Sequence, residues 1–374
     1  MDVVGPADRV SAAGLPYDAE KAVLERRMAA QLLSGPQPSA VEAAVSHLLA
    51  VQGQDPRGFR LALRTRTTGT TAADVDAALT DRRSLVVSWL NRGTLHLVAA
   101  EDYWWLHPLT TPQLVTSNAT RLAQEGVTPR QAERGVAVIY DEVARNGPRT
   151  RNELRAALDA AGVPTARQAL VHVIVAASLR GDLVRGPMRG KEQCFVSAGA
   201  WLGGPRKRMS RAEALALLAR RYLAGHGPAT ARDLAKWAGI TLGDARAGLD
   251  AVADRLGENS EGLVDLADRT DAAGLPGPRL LGAFDPVLCG WASREFIVGA
   301  HTGLVTSNGL FRPFALVDGR AVATWGLEAN RITIRLLEPV KPKALRRLEA
   351  DAVDVLRYLG LPAADATICQ PDSG

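Results

Sequence analysis

Apolar residues recur at helical spacing between Asp18 and Leu33, where Ala22, Val23, Met28, Ala29, Leu32 and Leu33 make one stripe, so a first helix is predicted there. Ser34-Gly35-Pro36 breaks it, and a second helix follows from about Ser39 to Ala50. Thr70-Thr71 caps a short third helix over Ala72 to Leu79. The runs SLVVSWL and TLHLVAA then read as two strands joined by the turn Asn91-Arg92-Gly93. Three helices followed by a hairpin is the plan of a winged helix.

The pattern then repeats. NGPRTRNEL from Asn146 and HGPATARDL from His226 share Gly-Pro-x-Thr-x-x-acid-Leu, with Thr150 ahead of Glu153 and Thr230 ahead of Asp233. A threonine followed three residues later by an acid is the layout of a capping box, so each copy opens a helix. Amphipathic helices are expected after each copy, from Thr165 to Arg180 and from Thr241 to Leu256. VRGPMRGKEQCFV reads as a basic wing carrying Arg185, Arg189 and Lys191. Internal repetition of this kind predicts three tandem winged helices, over 17–130, 131–204 and 211–278. Pro205 to Arg211 is a basic linker between the last two.

From Arg279 the grammar changes to short β runs separated by Gly, Pro and Asp turns, and an amphipathic helix closes the chain from Lys343 to Leu359. The fold class expected is therefore α+β, three tandem winged helices with a C-terminal β-rich, barrel-like region and closing helix over 279–360. Residues up to about Pro16 and beyond Pro362 are small and polar and are expected to be disordered.

The most unusual chemistry in this frame is LLAVQGQDPRG, Leu48 to Gly58. Gln52 and Gln54 are two residues apart, which places them on one face of an extended segment but not of a helix. Asp55 precedes Pro56, and the residue before proline is pushed away from helical geometry. Two neutral hydrogen-bonding heads thus sit side by side on a stiffened loop. They either tie down loop backbone or orient a small polar molecule.

Composition narrows the classes. With 374 residues and 47% hydrophobic content the chain is long enough for two to four domains, and its mean hydropathy of -0.03 is that of an ordinary globular protein. No apolar run is long enough to span a bilayer and no leader pattern opens the chain, so a cytoplasmic, nucleoid-associated location is expected and membrane contact is not. Cys194, Cys289 and Cys369 lie far apart, which argues against zinc and against a disulfide framework. The net charge of +5 leans toward a polyanionic partner. Phosphate loops, GxGxxG, GxSxG and HExxH are all missing, and neither a metal nor a cofactor is expected. His96 in TLHLV and His301 in AHTGL are lone histidines, read as structural rather than catalytic, and Asp285 in AFDPV reads as a turn former.

Taken together, QGQDPR, SWLNRGTLHLV and LLGAFDPVLCGW…NGLFRPFALVDGRAVATW resemble the AlkZ/YcaQ-type winged-helix DNA glycosylases, over about Leu32 to Leu359. The resemblance implies removal of bulky or crosslinked N7-alkylated purines from double-stranded DNA, with some members protecting antibiotic producers from their own genotoxin. It also implies a C-shaped groove of winged helices that offers the lesion a Gln-x-Gln loop and a C-terminal β-hairpin. Carried onto this chain, Gln52 and Gln54 are the catalytic pair, with Asp55 as possible support, and the hairpin is about Thr302 to Leu310. DNA contact is expected from the wing residues Arg185, Arg189 and Lys191 and from the hairpin residues Thr306, Ser307 and Asn308. Arg57, Arg92, His96, His301 and Arg312 are expected to face the same groove. Gly53 departs from the family pattern, which has alanine or an apolar residue between the glutamines. The expectation is a looser loop or more room for an adduct.

Chemistry agrees with this reading. Carboxamides do not titrate in the working range and cannot serve as ordinary general bases, but they can hold a water. That suffices when the leaving group is already cationic, as an N7-alkylated purine is. A monomeric glycosylase is therefore expected, and a non-enzymatic DNA-binding regulator or architectural protein is the competing class.

Overall fold

The computed structural model describes residues 17–190, 192–204, 209–258, 262–270, 274–306 and 309–371. The expected frayed start lies outside these residues, as do Lys191, residues 205–208 of the basic linker, Ser307 and Asn308. Among the described residues no helix is long and apolar enough to cross a membrane.

Helix α1 spans Tyr17–Ala30 and α2 spans Val41–Leu48. Val41, Ala44, Val45 and Leu48 are buried at helical spacing on α2. The helix ends as Leu49 turns to φ 66°, and Val51–Gln52 forms a short strand, β1. The chain then re-enters a helix that sequence reasoning did not assign, α3 over Pro56–Arg64. Asp55 is its N-cap, accepting from the Arg57 N–H at 2.9 Å, and Pro56 occupies the first turn. The same dipeptide that stops one helix is well suited to start the next, because proline lacks an N–H and the first helical turn needs none. The capped α4 is Ala72–Thr80, and strands β2 (Leu85–Leu90) and β3 (Thr94–Ala99) follow as expected. β1 pairs with β3 through Val51–Leu97 and Gln52–His96, so the glutamine segment is extended.

Next come α5 (Ala100–Thr110), α6 (Pro112–Gln124), α7 (Pro129–Asn146), α8 (Arg151–Ala160) and α9 (Ala169–Leu179), then β4 (Leu183–Arg189) and β5 (Glu192–Ser197). After the short α10 (Ala198–Leu202), the repeat recurs as α11 (Arg211–His226), α12 (Ala231–Ala238) and α13 (Leu242–Asp250), then β6 (Leu256–Glu258) and β7 (Val264–Leu266). Thr150 with Glu153 and Thr230 with Asp233 do form capping boxes. Each repeat also tethers its loop to its hairpin, through Arg149–Phe195 and Ala229–Val264. The helices after the repeats are shorter than their periodicity suggested. α9 starts only after Arg167, whose φ of 51° is left-handed, and α13 stops at Asp250. The first two hairpins are joined, since β2 meets β4 at Val87–Arg185 and gives one sheet of order β1-β3-β2-β4-β5.

The C-terminal region holds β8 (Arg279–Leu281), α14 (Pro286–Cys289), α15 (Glu295–Val298), β9 (Phe314–Val317), β10 (Arg320–Glu328), β11 (Arg331–Leu336), α16 (Pro342–Tyr358) and β12 (Thr367–Cys369). The barrel-like expectation is corrected: this sheet has the order β12-β11-β10-β9-β8, and its two edge strands do not meet. The tail is not disordered throughout, because β12 adds a parallel strand beside β11. The molecule is thus a mixed helix-and-sheet protein with open sheets.

Two of the contacts that bind this region to α3 and the residue stretch after it lie beside the glutamines. Arg66 forms a two-pronged ion pair with Asp285 at 2.7 and 2.9 Å, with both side chains fully buried. Asp285 also caps α14 by accepting from Val287 N at 3.0 Å. Beside it the two backbones touch. A Cβ on Gly58 would lie 2.3 Å from the Ala283 carbonyl oxygen, and one on Gly282 would lie 2.9 Å from that of Gly58. Only glycine allows so close an approach.

Candidate active site

Because Gln52 and Gln54 are i and i+2 on an extended segment, both side chains face the same side, and there they meet. Gln52 Nε2 donates to Gln54 Oε1 at 2.8 Å. Gln52 is only 7% exposed, whereas Gln54 reaches solvent. Gly53 points the other way, toward the sheet. Its N–H donates to Leu95 O at 2.6 Å, and a Cβ there would sit 3.4 Å from Val87 Cγ1 and from Leu95 O. The expectation that Gly53 loosens the loop or enlarges the lesion space is therefore corrected. Its backbone is tied into the sheet, and its missing side chain lies on the core face.

The glutamines line a cavity of about 520 Å³. The β2–β3 turn contributes Arg92, whose Nη2 donates to Gln52 Oε1 at 3.0 Å and whose Nη1 donates to Trp237 O at 2.6 Å. Burial lowers the Arg92 pKa from its ordinary value. The third helical unit contributes Lys236, which also donates to Ala292 O at 2.9 Å. From the C-terminal region come Phe284, Cys289, Trp291 and Arg294. Phe284 has φ 57°, a left-handed backbone that costs a bulky residue about 1–2 kcal/mol. Its neighbour Asp285, anchored to Arg66, holds it there. The Phe284 ring lies 5.2 Å from Phe311, and the Arg294 guanidinium covers Phe311 at 5.0 Å. Burial pushes the Cys289 thiol up to about 12, so it stays protonated.

The expected hairpin closes one side. Thr302–Leu304 is a 3-10 turn, Val305 bridges Phe311, and Thr306 N–H donates to Leu310 O at 2.9 Å while its hydroxyl accepts from Leu310 N–H at 3.0 Å. This brings Gly309, Leu310 and Phe311 to the cavity, with Leu310 58% exposed. Three cations line the cavity, Arg92, Lys236 and Arg294, and no described carboxylate does. Asp55 lies outside the lining and spends its carboxylate on the α3 cap.

Other residues expected at DNA fare differently. His96 is 2% exposed, with Nδ1 2.9 Å from Thr94 O, and burial drops its pKa to about 3; it is a neutral core residue and not a DNA contact. Arg185 is stacked on Phe195 at 4.2 Å and on Trp89 at 5.5 Å, and burial lowers its pKa to about 10, so it belongs to the sheet face rather than to a free wing. Arg189 is exposed at the end of β4 and pairs with Glu153 at 2.8 Å. His301 pairs with Glu338 at 2.9 Å, and Arg57 and Arg312 are exposed. Sequence reasoning missed Lys236, Arg294, Phe284 and Phe311. GAFDPVLCGW carried a weak signal for Phe284, an aromatic before Asp-Pro. Lys236 and Arg294 carried none, because tertiary packing alone brings them here.

Comparison with known proteins identifies the family. The family model for DNA glycosylase AlkZ-like proteins matches residues 45–358. An interstrand DNA cross-link repair glycosylase of Streptomyces sahachiroi is 28% identical over 353 residues, covering 87% of this chain and 92% of its own length. The structure of the Streptomyces sahachiroi DNA glycosylase AlkZ superposes with a TM-score of 0.77 at 25% identity, over 93% of this chain and 99% of that one. The chain is a member of the AlkZ-like DNA glycosylase family.

Proposed function

We propose that this enzyme hydrolyses the N-glycosidic bond of bulky or crosslinked N7-alkylated purines in duplex DNA, with Gln52 and Gln54 holding the attacking water. The observation that carries the reading is the cavity wall: a mutually bonded amide pair beside three cations, with no described carboxylate. A site so built has no strong acid or base, so it fits a leaving group that departs unaided. An N7-alkylated purine carries its own positive charge and leaves as a neutral base. The sugar then develops oxocarbenium character, and a water held by carboxamide oxygens adds to C1′. Its proton is released as the C–O bond forms, when it is strongly acidic, and bulk water takes it.

Three cations would oppose a cationic substrate unless an anion came with it. The phosphates of the lesion strand are that anion, and Lys236 and Arg294 are placed to meet them. The volume suits a drug-sized adduct, and Phe284, Phe311 and Leu310 offer it an apolar wall. The relative that repairs interstrand crosslinks makes crosslinked purines the natural extension of this class. We further read α1–α4 with β1–β3, α7–α9 with β4–β5, and α11–α13 with β6–β7 as three tandem winged helices, over 17–130, 131–204 and 211–278, with 279–360 supplying the hairpin. Arg189 on the second wing, with Arg57, His301, Arg312 and Thr306, is the DNA-facing set.

Chromatographic detection of free modified base from an N7-alkylguanine duplex tests the proposal. Release is expected; DNA binding with no release would favour a non-enzymatic regulator instead.

A further inference from the structure

Amide oxygens and nitrogens look alike in shape, and only their partners decide which is which. In this site one partner leaves no choice. A guanidinium has donors and no acceptor. Arg92 Nη2 is 3.0 Å from the Gln52 side chain, so the atom facing it must be the carbonyl oxygen. That turns the Gln52 amino group toward Gln54, 2.8 Å away, which in turn must offer its own carbonyl oxygen. A single donor-only residue therefore sets the orientation of both carboxamides. Without it the pair could bond equally well in reverse, with Gln54 donating to Gln52.

Arg92 is itself held. Its other terminal nitrogen donates to Trp237 O at 2.6 Å, near the end of α12. Its backbone leaves β2 through Asn91 at φ 49° and re-enters β3 after Gly93 at φ 81°, a tight turn that aims one side chain. The Asn91 carbonyl lies 2.8 Å from where a Cβ on Gly239 would be, so the turn is packed directly against the residue that ends α12. With each terminal nitrogen already engaged, Arg92 is poorly placed to serve as the phosphate ligand that its sequence position implied.

We infer that Arg92 is a positioning residue for the glycosylase, which acts through Gln52 to present both carboxamide oxygens to the water and which is clamped by the third helical unit. Each oxygen then keeps one lone pair free to accept from that water. The inference rests on the reading of Gln52 and Gln54 as the water-holding pair.

The test is single-turnover excision at saturating enzyme, with duplex affinity and thermal unfolding measured alongside. Arg92→Met, of similar length and without a donor, should lower excision about thirty-fold while lesion-duplex Kd moves less than about threefold. Arg92→Lys, which also only donates, should recover most of the rate. The sharper readout is a double-mutant cycle: in a Gln52→Ala background, Arg92→Met should lower the residual rate by less than about threefold, because its target is gone. Should Arg92→Met fail to fold, Arg92→Gln, which can offer Gln52 either end of its amide, carries the same expectations. Excision within threefold of wild type, a full multiplicative loss on top of Gln52→Ala, or a loss confined to Kd would each overturn the assignment. Wild-type excision by Gln52→Ala would instead refute the glutamine reading itself.

Discussion

Gly58→Ala tests whether the two halves of the site are held by backbone contact. The added Cβ would lie 2.3 Å from Ala283 O, at least 0.7 Å inside the 3.0 Å closest approach that such atoms show. Backbone stands on both sides, so neither can yield by a rotamer change. α3 and the Ala283–Asp285 segment must separate by most of an ångström. Gln54 lies four residues before Gly58 and Phe284 directly follows Ala283, so opposite walls of the cavity move apart. Overpacking of this kind costs about 1–3 kcal/mol of stability, and a misplacement near 1 Å costs about 10²-fold in rate. Single-turnover base release and thermal unfolding on the same preparation read both quantities. Gly53→Ala is the control, because its Cβ meets its nearest neighbours at an ordinary 3.4 Å, and it should excise within about threefold of wild type. If Gly58→Ala keeps wild-type excision and stability, the contact does not hold the site together.

Three further outcomes follow from the charges. Single-turnover excision should be level from about pH 6 to 9, since the Cys289 thiol is held near 12 and His96 near 3; a bell-shaped profile centred near neutrality would reveal a titrating catalytic group. Burial also holds His226 near 3, so the unfolded chain binds protons below about pH 6.5 that the folded state refuses at both histidines. Stability should accordingly fall with acid at about 1.4 kcal/mol per pH unit for each histidine between those limits, and flat chemical denaturation midpoints from pH 6.5 to 5 would contradict it. Arg189→Ala should lower the slope of log affinity for undamaged duplex against log salt by roughly 0.9, the share of one phosphate contact; an unchanged slope removes the β4–β5 hairpin from the interface.

Local features were legible in the sequence because local physics decides them. The capping boxes at Thr150 and Thr230, the β2–β3 hairpin and the extended geometry of Gln52 follow from residue types at fixed spacing. The hairpin expected at about Thr302 to Leu310 is closed by one bridge, Val305–Phe311. Asp55-Pro56 reads as a stop, yet Asp at the cap and Pro in the first turn also make the start of α3. Residue type alone points His96 and Arg185 at DNA, whereas burial withdraws both from it. Strand alternation puts Arg185 in the same row as Val87 and Phe195, where a cation stacks on rings instead of reaching solvent. Lys236 and Arg294 lie far from Gln52 in sequence, and no local pattern marks a residue that only the packing of α12 and the C-terminal region delivers. The joining of β2 to β4 and the open edges of the last sheet are likewise tertiary outcomes, invisible to periodicity.

The central claim is that two carboxamides, and no carboxylate, carry the hydrolysis. It is tested most directly by single-turnover release of N7-alkylguanine from duplex DNA by Gln52→Ala, Gln54→Ala and Asp55→Asn at saturating enzyme. Each glutamine variant should lose roughly two orders of magnitude in rate with duplex affinity nearly unchanged. Asp55→Asn keeps an oxygen to cap α3 and should excise at close to the wild-type rate. Wild-type rates from both glutamine variants, or a loss in Asp55→Asn as large as that of Gln52→Ala, would contradict the account.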